Sequence, residues 1–70
     1  MESQLTELLT TDFNGCRFRE VSKNVYSIAD GGNTLQLEMI DGRWQIWIDL
    51  SLCFDSDLPE CIEWINEYLS

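Results

Sequence analysis

Hydrophobic residues toward both ends of the chain recur at the spacing of an amphipathic helix. In residues 2–11, leucines at positions 5, 8 and 9 fall on one helical face. A second apolar set recurs in the same way later in the chain: Leu58, Cys61, Ile62, Ile65 and Leu69. Asp57 stands before this set with Glu60 three residues on, which is the arrangement of a capping box. The spacing predicts a short helix stopped by Asn14-Gly15 and a longer helix capped by Asp57.

Between these segments, apolar and polar residues alternate, as in strands with one buried face. In residues 34–40 the apolar positions are Leu35, Leu37 and Met39. In residues 43–52 they are Trp44, Ile46, Ile48, Leu50 and Leu52. Asp41-Gly42 lies between the two segments and is typical of a two-residue hairpin turn. The pattern therefore predicts two long antiparallel strands whose apolar residues all face inward.

The turn at Asp41-Gly42 also predicts how these strands pair. With Ile40 opposite Arg43, the inward pairs are all apolar: Met39 with Trp44, Leu37 with Ile46, and Leu35 with Ile48. A slip by one residue would move the whole apolar row to the other face. We therefore expect this register to be well specified.

Two earlier strands complete the predicted sheet, over residues 16–21 and 25–29. A turn at residues 30–33 aligns the second and third strands at two apolar pairs: Tyr26 with Leu37 and Ile28 with Leu35. The predicted fold is an α+β two-layer sandwich in the order α-β-β-β-β-α, with a four-stranded antiparallel sheet. We expect both helices on the sheet face that carries Leu37 and Ile46.

The charges are mostly negative and unevenly distributed. The 70 residues, which we expect to form a single domain over residues 1–70, contain 13 acidic side chains, four basic ones and no histidine, for a net charge of −9. Residues 44–70 carry six acids and no base, whereas residues 17–43 are neutral overall. Proteins that bind nucleic acids or anionic membranes need a basic surface. We therefore expect no direct contact with nucleic acid or membrane.

Few residues offer catalytic or metal-binding chemistry. No histidine is present to act as a general base, and the cysteines lack the spacing of a zinc motif: Cys16, Cys53 and Cys61. Asp55 and Asp57, with Glu60 nearby, could ligate a divalent cation, but the calcium-loop pattern is incomplete. Helix capping already accounts for these carboxylates. We expect no enzymatic activity, no cofactor and no metal.

The cysteines and the first residues also bear on location. The number of cysteines is odd, and residues 1–13 lack the basic and apolar regions of a signal peptide. No apolar run approaches the roughly 20 residues of a membrane span. We expect reduced thiols and a cytoplasmic location.

The sharpest candidate site is a stripe of glutamates on the second predicted helix. Glu60, Glu63 and Glu67 are separated by about 4.5 and 6 Å along the helix axis, of the order of the DNA phosphate rise of about 3.4 Å. One interpretation is a solvated face that keeps the protein soluble. The other is a surface that presents charge to a basic partner, and it gains support because like charges weaken a helix and no lysine is interspersed. The candidate partner-binding residues are Asp49, Asp55, Asp57, Glu60, Glu63, Trp64 and Glu67.

Trp47 is a secondary candidate, on the outward face of the predicted sheet together with Arg17 and Arg19. In a solvated sheet face, these arginines would pair with Glu38 or Asp49. Alternatively, Trp47 anchors a partner, since tryptophan near arginine is typical of interaction hot spots. A helix covering this face would bury Trp47 and remove that second interpretation.

In size, acidity, lack of histidine and α+β layout, the chain resembles small, acidic, phage-encoded inhibitors, including anti-CRISPR proteins and other DNA mimics. No sequence motif carries the resemblance, so no functional residue is transferred. It implies a non-enzymatic inhibitor in the host cytoplasm that binds the basic nucleic-acid-binding surface of a protein complex and blocks DNA access. The residues alone predict an acidic binding module, monomeric or weakly dimeric. The alternative is a small adaptor, chaperone-like or immunity-type protein that uses an apolar surface around Trp47 and Trp64.

Overall fold

A computed structural model of the chain describes residues 2–13, 15–30 and 33–69. Within these ranges the elements are α1 (Glu2–Thr10), β1 (Arg19–Ser22), β2 (Val25–Asp30), β3 (Asn33–Ile40), β4 (Arg43–Ile48), β5 (Ser51–Ser56) and α2 (Leu58–Leu69). The strands form one antiparallel sheet in the order β1-β2-β3-β4-β5, so each strand pairs with its neighbours in sequence. The predicted class is confirmed: the protein is α+β, and its antiparallel sheet follows an N-terminal helix and precedes a C-terminal helix in sequence.

The predicted register is confirmed in the β2–β3 and β3–β4 hairpins. The observed pairs include Ile40 with Arg43, Met39 with Trp44, Leu37 with Ile46, Leu35 with Ile48, Tyr26 with Leu37, and Ile28 with Leu35. Asp41 and Gly42 connect β3 to β4 with backbone φ angles of 53° and 78°. Both angles are left-handed, as a two-residue turn of this type requires.

The prediction of four strands is wrong, because residues 43–52 are not one strand. Asp49 and Leu50 adopt φ angles of 51° and 70° and turn the chain, so that Ile48 pairs with Ser51 and Trp47 with Leu52. The turn contains neither glycine nor asparagine, and the apolar alternation continues through it, so the sequence pattern did not indicate it. Leu50 and Leu52 therefore do not face inward; their side chains are 95% and 48% exposed.

Other boundaries also differ from the prediction. The strand expected over residues 16–21 begins only at Arg19, because Cys16 forms an isolated bridge with Phe13 instead. The first helix ends at Thr10, one residue earlier than expected. The turn residues Asn14, Gly31 and Gly32 lie outside the described residues.

The core lies between the sheet and the two helices, which cover the predicted face. Leu37 and Ile46 are fully buried at the centre of the sheet, and Leu8 of α1 and Ile65 of α2 join the same cluster. The remaining buried members are Phe18, Tyr26, Ile28, Leu35, Cys61 and Leu69. α2 packs on β4 and β5, and α1 packs on α2. No described helix covers the opposite face of the sheet, which we call the outer face.

Asp57 caps α2 as predicted. Its Oδ1 accepts a hydrogen bond from the backbone N–H of Glu60 at 3.1 Å, and its carbonyl accepts the N–H of Cys61 at 3.0 Å. Pro59, which has no N–H, occupies the first turn, where none is needed. The two hydrogen bonds to Asp57 and the proline in the first turn fix the start of α2 directly after β5. The glutamates of the helix therefore lie beside the end of the sheet.

Candidate protein-binding surfaces

The glutamates of α2 lie on its solvent side because the other side of the helix is needed for the core. The residues that face inward are Cys61, Ile65 and Leu69. Glu60, Glu63 and Glu67 are exposed. With Trp64 of α2 and Phe54 of β5, they line a shallow concavity of about 180 Å³. We call these five residues the acidic helix surface.

Three stacked aromatic rings support this surface. The Trp64 ring lies 6.0 Å from that of Phe54 and 5.3 Å from that of Tyr68, between centroids, with interplanar angles of 19° and 15°. Trp64 is half-buried and packs against the core, so its ring is fixed in place. The alkyl stem of a lysine or arginine suits such an apolar floor, with the cation reaching the carboxylates at its rim.

The charge distribution on α2 does not favour the helix itself. Glu60 lies in the first turn, where the helix dipole stabilises a carboxylate, but Glu67 lies in the last turn, which contains no basic residue. Glu63 is three residues from one and four from the other, so the three charges repel. A basic partner would relieve this repulsion. The helix dipole therefore accounts for Glu60 but gives no reason for Glu63.

Asp55 lies apart from the acidic helix surface and its charge is already paired. The Arg43 guanidinium donates from Nε to Asp55 Oδ1 at 2.6 Å, and Gln45 donates to Oδ2 at 3.1 Å. The hydrogen bond from Arg43, followed by that from Gln45, lowers the pKa of the Asp55 carboxyl below its ordinary value. Residues 44–70 lack a base in sequence, but the β4–β5 pairing brings Arg43 to Asp55. The charge of Asp55 is thus offset within the sheet by Arg43.

Two other predicted residues have separate positions. Asp57 is exposed, and its carboxylate caps α2. Asp49 lies in the β4–β5 turn, away from the acidic helix surface. The structure therefore brings together Glu60, Glu63, Trp64 and Glu67 and leaves Asp49, Asp55 and Asp57 outside that group.

Trp47 lies on the outer face, as predicted, and helps to form a second concavity. This concavity measures about 270 Å³ and is lined by Thr34, Gln36, Trp47, Asp49 and Leu50. We call it the hairpin-tip concavity. Trp47 is half-buried within it, whereas Leu50 is almost fully exposed.

A chain of hydrogen bonds holds the Trp47 side of the outer face in place. Trp47 donates its indole N–H to Gln45 Oε1 at 3.1 Å, and Gln45 is linked in turn to Asp55 and so to Arg43. Nearby, Gln36 Nε2 donates to Glu38 Oε1 at 2.9 Å. The Trp47 and Gln36 side chains of the hairpin-tip concavity are therefore held by hydrogen bonds within the sheet.

The pairing expected for a solvated outer face is not formed among the described residues. Arg17 and Arg19 make no ion pair with Glu38 or Asp49 there; the ion pair that is formed joins Arg43 to Asp55. Arg17 and Arg19 line a wide concavity with residues of β1 and β2, and this concavity adjoins the hairpin-tip concavity at Thr34. Both arginines are exposed, and the ion pairs that the solvated-face interpretation implied are not formed among the described residues.

The three cysteines have two kinds of environment. Cys16 and Cys53 are exposed thiols, and Cys61 is a buried one. Burial raises the pKa of the Cys61 thiol to about 11. A thiol with this pKa is protonated at neutral pH and a poor nucleophile. Cys61 is therefore part of the core and has no reactive role in either concavity.

No protein family model, curated protein or solved structure matches the chain. In the part of the chain that the structure describes, no group of three histidine, cysteine, aspartate or glutamate side chains could hold a metal ion. Neither α1 nor α2, the helices of that part, is long and apolar enough to cross a membrane. The candidate binding sites of the chain are therefore the concavity of the acidic helix surface and the hairpin-tip concavity.

Five residues in these surfaces or in contact with them were not predicted from the sequence. Tyr68 follows Trp64 by four residues, a spacing that places both on one side of a helix and could have indicated the stack. The positions of Phe54 and Leu50 in these surfaces result from β5 and the β4–β5 turn, which the sequence pattern did not predict. Thr34 and Gln36 occupy polar positions of β3, and no local signal marks their position beside Trp47.

Proposed function

We propose that the protein is a non-enzymatic acidic inhibitor, of the anti-CRISPR or DNA-mimic type. It binds the basic nucleic-acid-binding surface of a protein complex through the acidic helix surface and blocks DNA access. It does so in the cytoplasm of the cell that contains this complex. The partner is a protein, and the inhibitor itself contacts neither nucleic acid nor membrane.

The observation that carries this proposal is the concavity of the acidic helix surface. Three exposed glutamates surround a fixed aromatic floor on a helix that has no basic residue. Aromatic side chains at the centre and charges at the rim are the arrangement that gives protein interfaces both affinity and fast association. The net charge of −9 attracts a basic partner from a distance.

The test uses capture followed by a DNA-binding measurement. Affinity capture from a host lysate and mass spectrometry identify the partner, and the purified partner is then assayed for binding to labelled DNA. Wild-type protein should reduce DNA binding. The double variant Glu63→Lys/Glu67→Lys should inhibit at least about tenfold less, mainly through slower association. Lysine is a good helix former and is favourable in the last turn, so this variant should fold.

A matched control separates this site from net charge in general. Glu7→Lys/Glu20→Lys makes the same change in total charge at two exposed positions on α1 and β1. It should inhibit nearly as well as wild type. The proposal is wrong if the Glu63/Glu67 variant inhibits as strongly as wild type, or if the captured partner binds DNA equally well with the inhibitor present.

A second candidate function is supported by the outer face. Trp47, Leu50 and Leu52 give this uncovered face an apolar patch, and the last two are 95% and 48% exposed. An adaptor, chaperone-like or immunity-type protein would bind its partner there. Such binding would change little between low and high salt, whereas capture by the acidic helix surface would weaken steeply. Trp47→Ala would then abolish binding that Glu63→Lys/Glu67→Lys leaves intact.

A further inference from the structure

The exposure and the backbone conformation of Leu50 are both unfavourable for the stability of the fold. Its side chain is 95% exposed, and its backbone φ is 70°. This left-handed conformation suits glycine or asparagine and is unfavourable for leucine. The β3–β4 turn meets the same demand with glycine at Gly42. A strained backbone and an exposed apolar side chain at one residue are features more typical of a binding site than of a turn.

Leu50 is also part of a preformed concavity. Together with Trp47 it forms the apolar lining of the hairpin-tip concavity, to which Asp49, Thr34 and Gln36 add polar groups. The indole ring of Trp47 is held by its hydrogen bond to Gln45. The site thus combines an aromatic surface, an aliphatic side chain and a carboxylate within one shallow depression.

The polar groups that remain open to a ligand are chiefly acceptors. Trp47 has one N–H, and it is donated to Gln45. Gln36 donates one N–H of Nε2 to Glu38, which leaves its carbonyl oxygen as an acceptor and its second N–H as a donor, and the Thr34 hydroxyl can donate or accept. The carboxylate of Asp49 accepts only. A ligand with many donors and no acceptor complements such a lining.

The charge of the site also favours a cation. Asp49 and Glu38 contribute negative charge, whereas the cation of Arg43 is held by Asp55. Arg17 and Arg19 do not line the hairpin-tip concavity but its neighbour, which meets it at Thr34. Asp49 is the one charged residue among the described residues that line the hairpin-tip concavity, so the lining itself carries a negative charge beside its aromatic wall.

We propose that the hairpin-tip concavity binds an arginine side chain of a protein partner. The guanidinium stacks on Trp47 and donates to Asp49, and the aliphatic stem lies against Leu50. Arginine fits better than lysine because its planar, weakly hydrated cation stacks on an aromatic ring and carries five donors. The site lies on the outer face, opposite α2, and does not depend on the function proposed for the acidic helix surface.

The experiment is an NMR titration of the ¹⁵N-labelled protein with Nα-acetyl-arginine amide. The indole signals of Trp47 and Trp64 are assigned with the variants Trp47→Phe and Trp64→Phe. Arginine amide should shift the Trp47 indole signal and the backbone amides of Asp49 and Leu50 along a saturable curve. The neutral isostere Nα-acetyl-citrulline amide should shift them much less, because it lacks the cation.

Variants of the turn separate binding from folding. Leu50→Gly removes the aliphatic contact but relieves the left-handed strain, so the urea midpoint should stay the same or rise. Binding of arginine amide should weaken about two- to fivefold. Asp49→Asn should weaken binding to a similar or greater extent. The matched control is Asn24→Gly, which makes the same backbone change at a φ of 62° in the β1–β2 turn and should leave binding unchanged.

Several results would overturn the assignment. If the citrulline derivative shifts the Trp47 indole signal as strongly as the arginine derivative does, the positive charge of the ligand does not contribute to binding. Stronger binding of Nα-acetyl-lysine amide would contradict the stacked guanidinium. Shifts confined to Trp64 would assign the cation to the acidic helix surface instead. If Leu50→Gly binds arginine amide as tightly as the wild-type protein does, the Leu50 side chain is not part of the site.

Discussion

Cys61 shows how strongly its surroundings control the chemistry of one side chain. Its Sγ lies 3.6 Å from the carbonyl oxygen of Trp44 and 3.8 Å from that of Ser56, within the core. Burial is the main cause of its raised pKa of about 11, and the negative charge of Asp57 acts in the same direction. The thiol is therefore a weak donor that packs as a small apolar group.

We expect two thiols of the folded protein to react quickly with a thiol reagent and one to be protected. Cys16 and Cys53 are exposed and should be labelled in native buffer at pH 8, whereas Cys61 should react only as the protein unfolds. Intact-mass spectrometry against time counts the labels. Cys53→Ser should remove one fast label and leave the slow one. Three fast labels would contradict the buried position of Cys61.

The ion pair between Arg43 and Asp55 makes a prediction about pH. Because the pKa of Asp55 is lowered in the folded protein, the pair stabilises the fold above the ordinary carboxyl pKa. That contribution is lost as the pH falls through the lowered value. In a ¹³C NMR titration, Asp55 should therefore titrate below the ordinary range for aspartate.

The variant Arg43→Met should return the pKa of Asp55 toward its ordinary value. Gln45 would still donate to Oδ2, so we expect the return to be incomplete. Arg19→Met removes an exposed arginine that makes no ion pair with Asp55 and serves as the control. An equal response to both substitutions would mean that general charge, rather than this contact, lowers the pKa.

Among the larger elements, those with a strong local signal were predictable. The β3–β4 hairpin follows from Asp41-Gly42 and the matching apolar rows, and α2 follows from its spacing and the Asp57 cap. The β4–β5 turn could not be predicted, because Leu50 is a poor residue for a left-handed conformation and its apolar character continued the strand pattern.

The same distinction applies to the candidate sites. Glu60, Glu63 and Glu67 share a helix face by spacing alone, so their exposure followed from the sequence. The pairing of Asp55 with Arg43 and the place of Phe54 beneath Trp64 both require β5. Without that strand, a local pattern gives no information on either contact.

The cap of α2 provides a stability prediction. Asp57→Ala should lower the free energy of unfolding by about 1 kcal/mol, because the N–H of Glu60 loses its acceptor. Asp57→Ser keeps an acceptor and should retain most of the stability. Glu63→Ala removes a charge in the middle of the helix and should change stability by no more than about 0.5 kcal/mol. Urea unfolding of the four proteins measures these differences, and equal losses for alanine and serine at position 57 would contradict the cap.

The whole molecule carries a net charge of −9 on 70 residues, and this charge acts on its own stability. Like charges brought together by folding repel one another, and added salt screens them. Raising NaCl from about 20 to about 200 mM, over which the screening length shortens severalfold, should therefore raise the urea midpoint.

The variant Glu63→Lys/Glu67→Lys tests the origin of this salt effect. Each Glu→Lys substitution changes the charge by two units, so the net charge goes from −9 to −5. The urea midpoint of the variant should therefore rise less with salt than that of the wild type. A fall in the midpoint with salt, or an identical rise in both proteins, would show that self-repulsion is not the cause.

The order β1-β2-β3-β4-β5 has a consequence for how quickly the chain folds. Each strand pairs with the next across a short connection, so the sheet grows by closing small loops, each with a small loss of chain entropy. Such local pairing is associated with rapid folding. The packing of α1 on α2 joins segments about 50 residues apart in sequence and has the larger entropic barrier. We therefore expect the sheet to form first and α1 to dock last, and native-state hydrogen exchange should find the amides of α1 opening before those of β3.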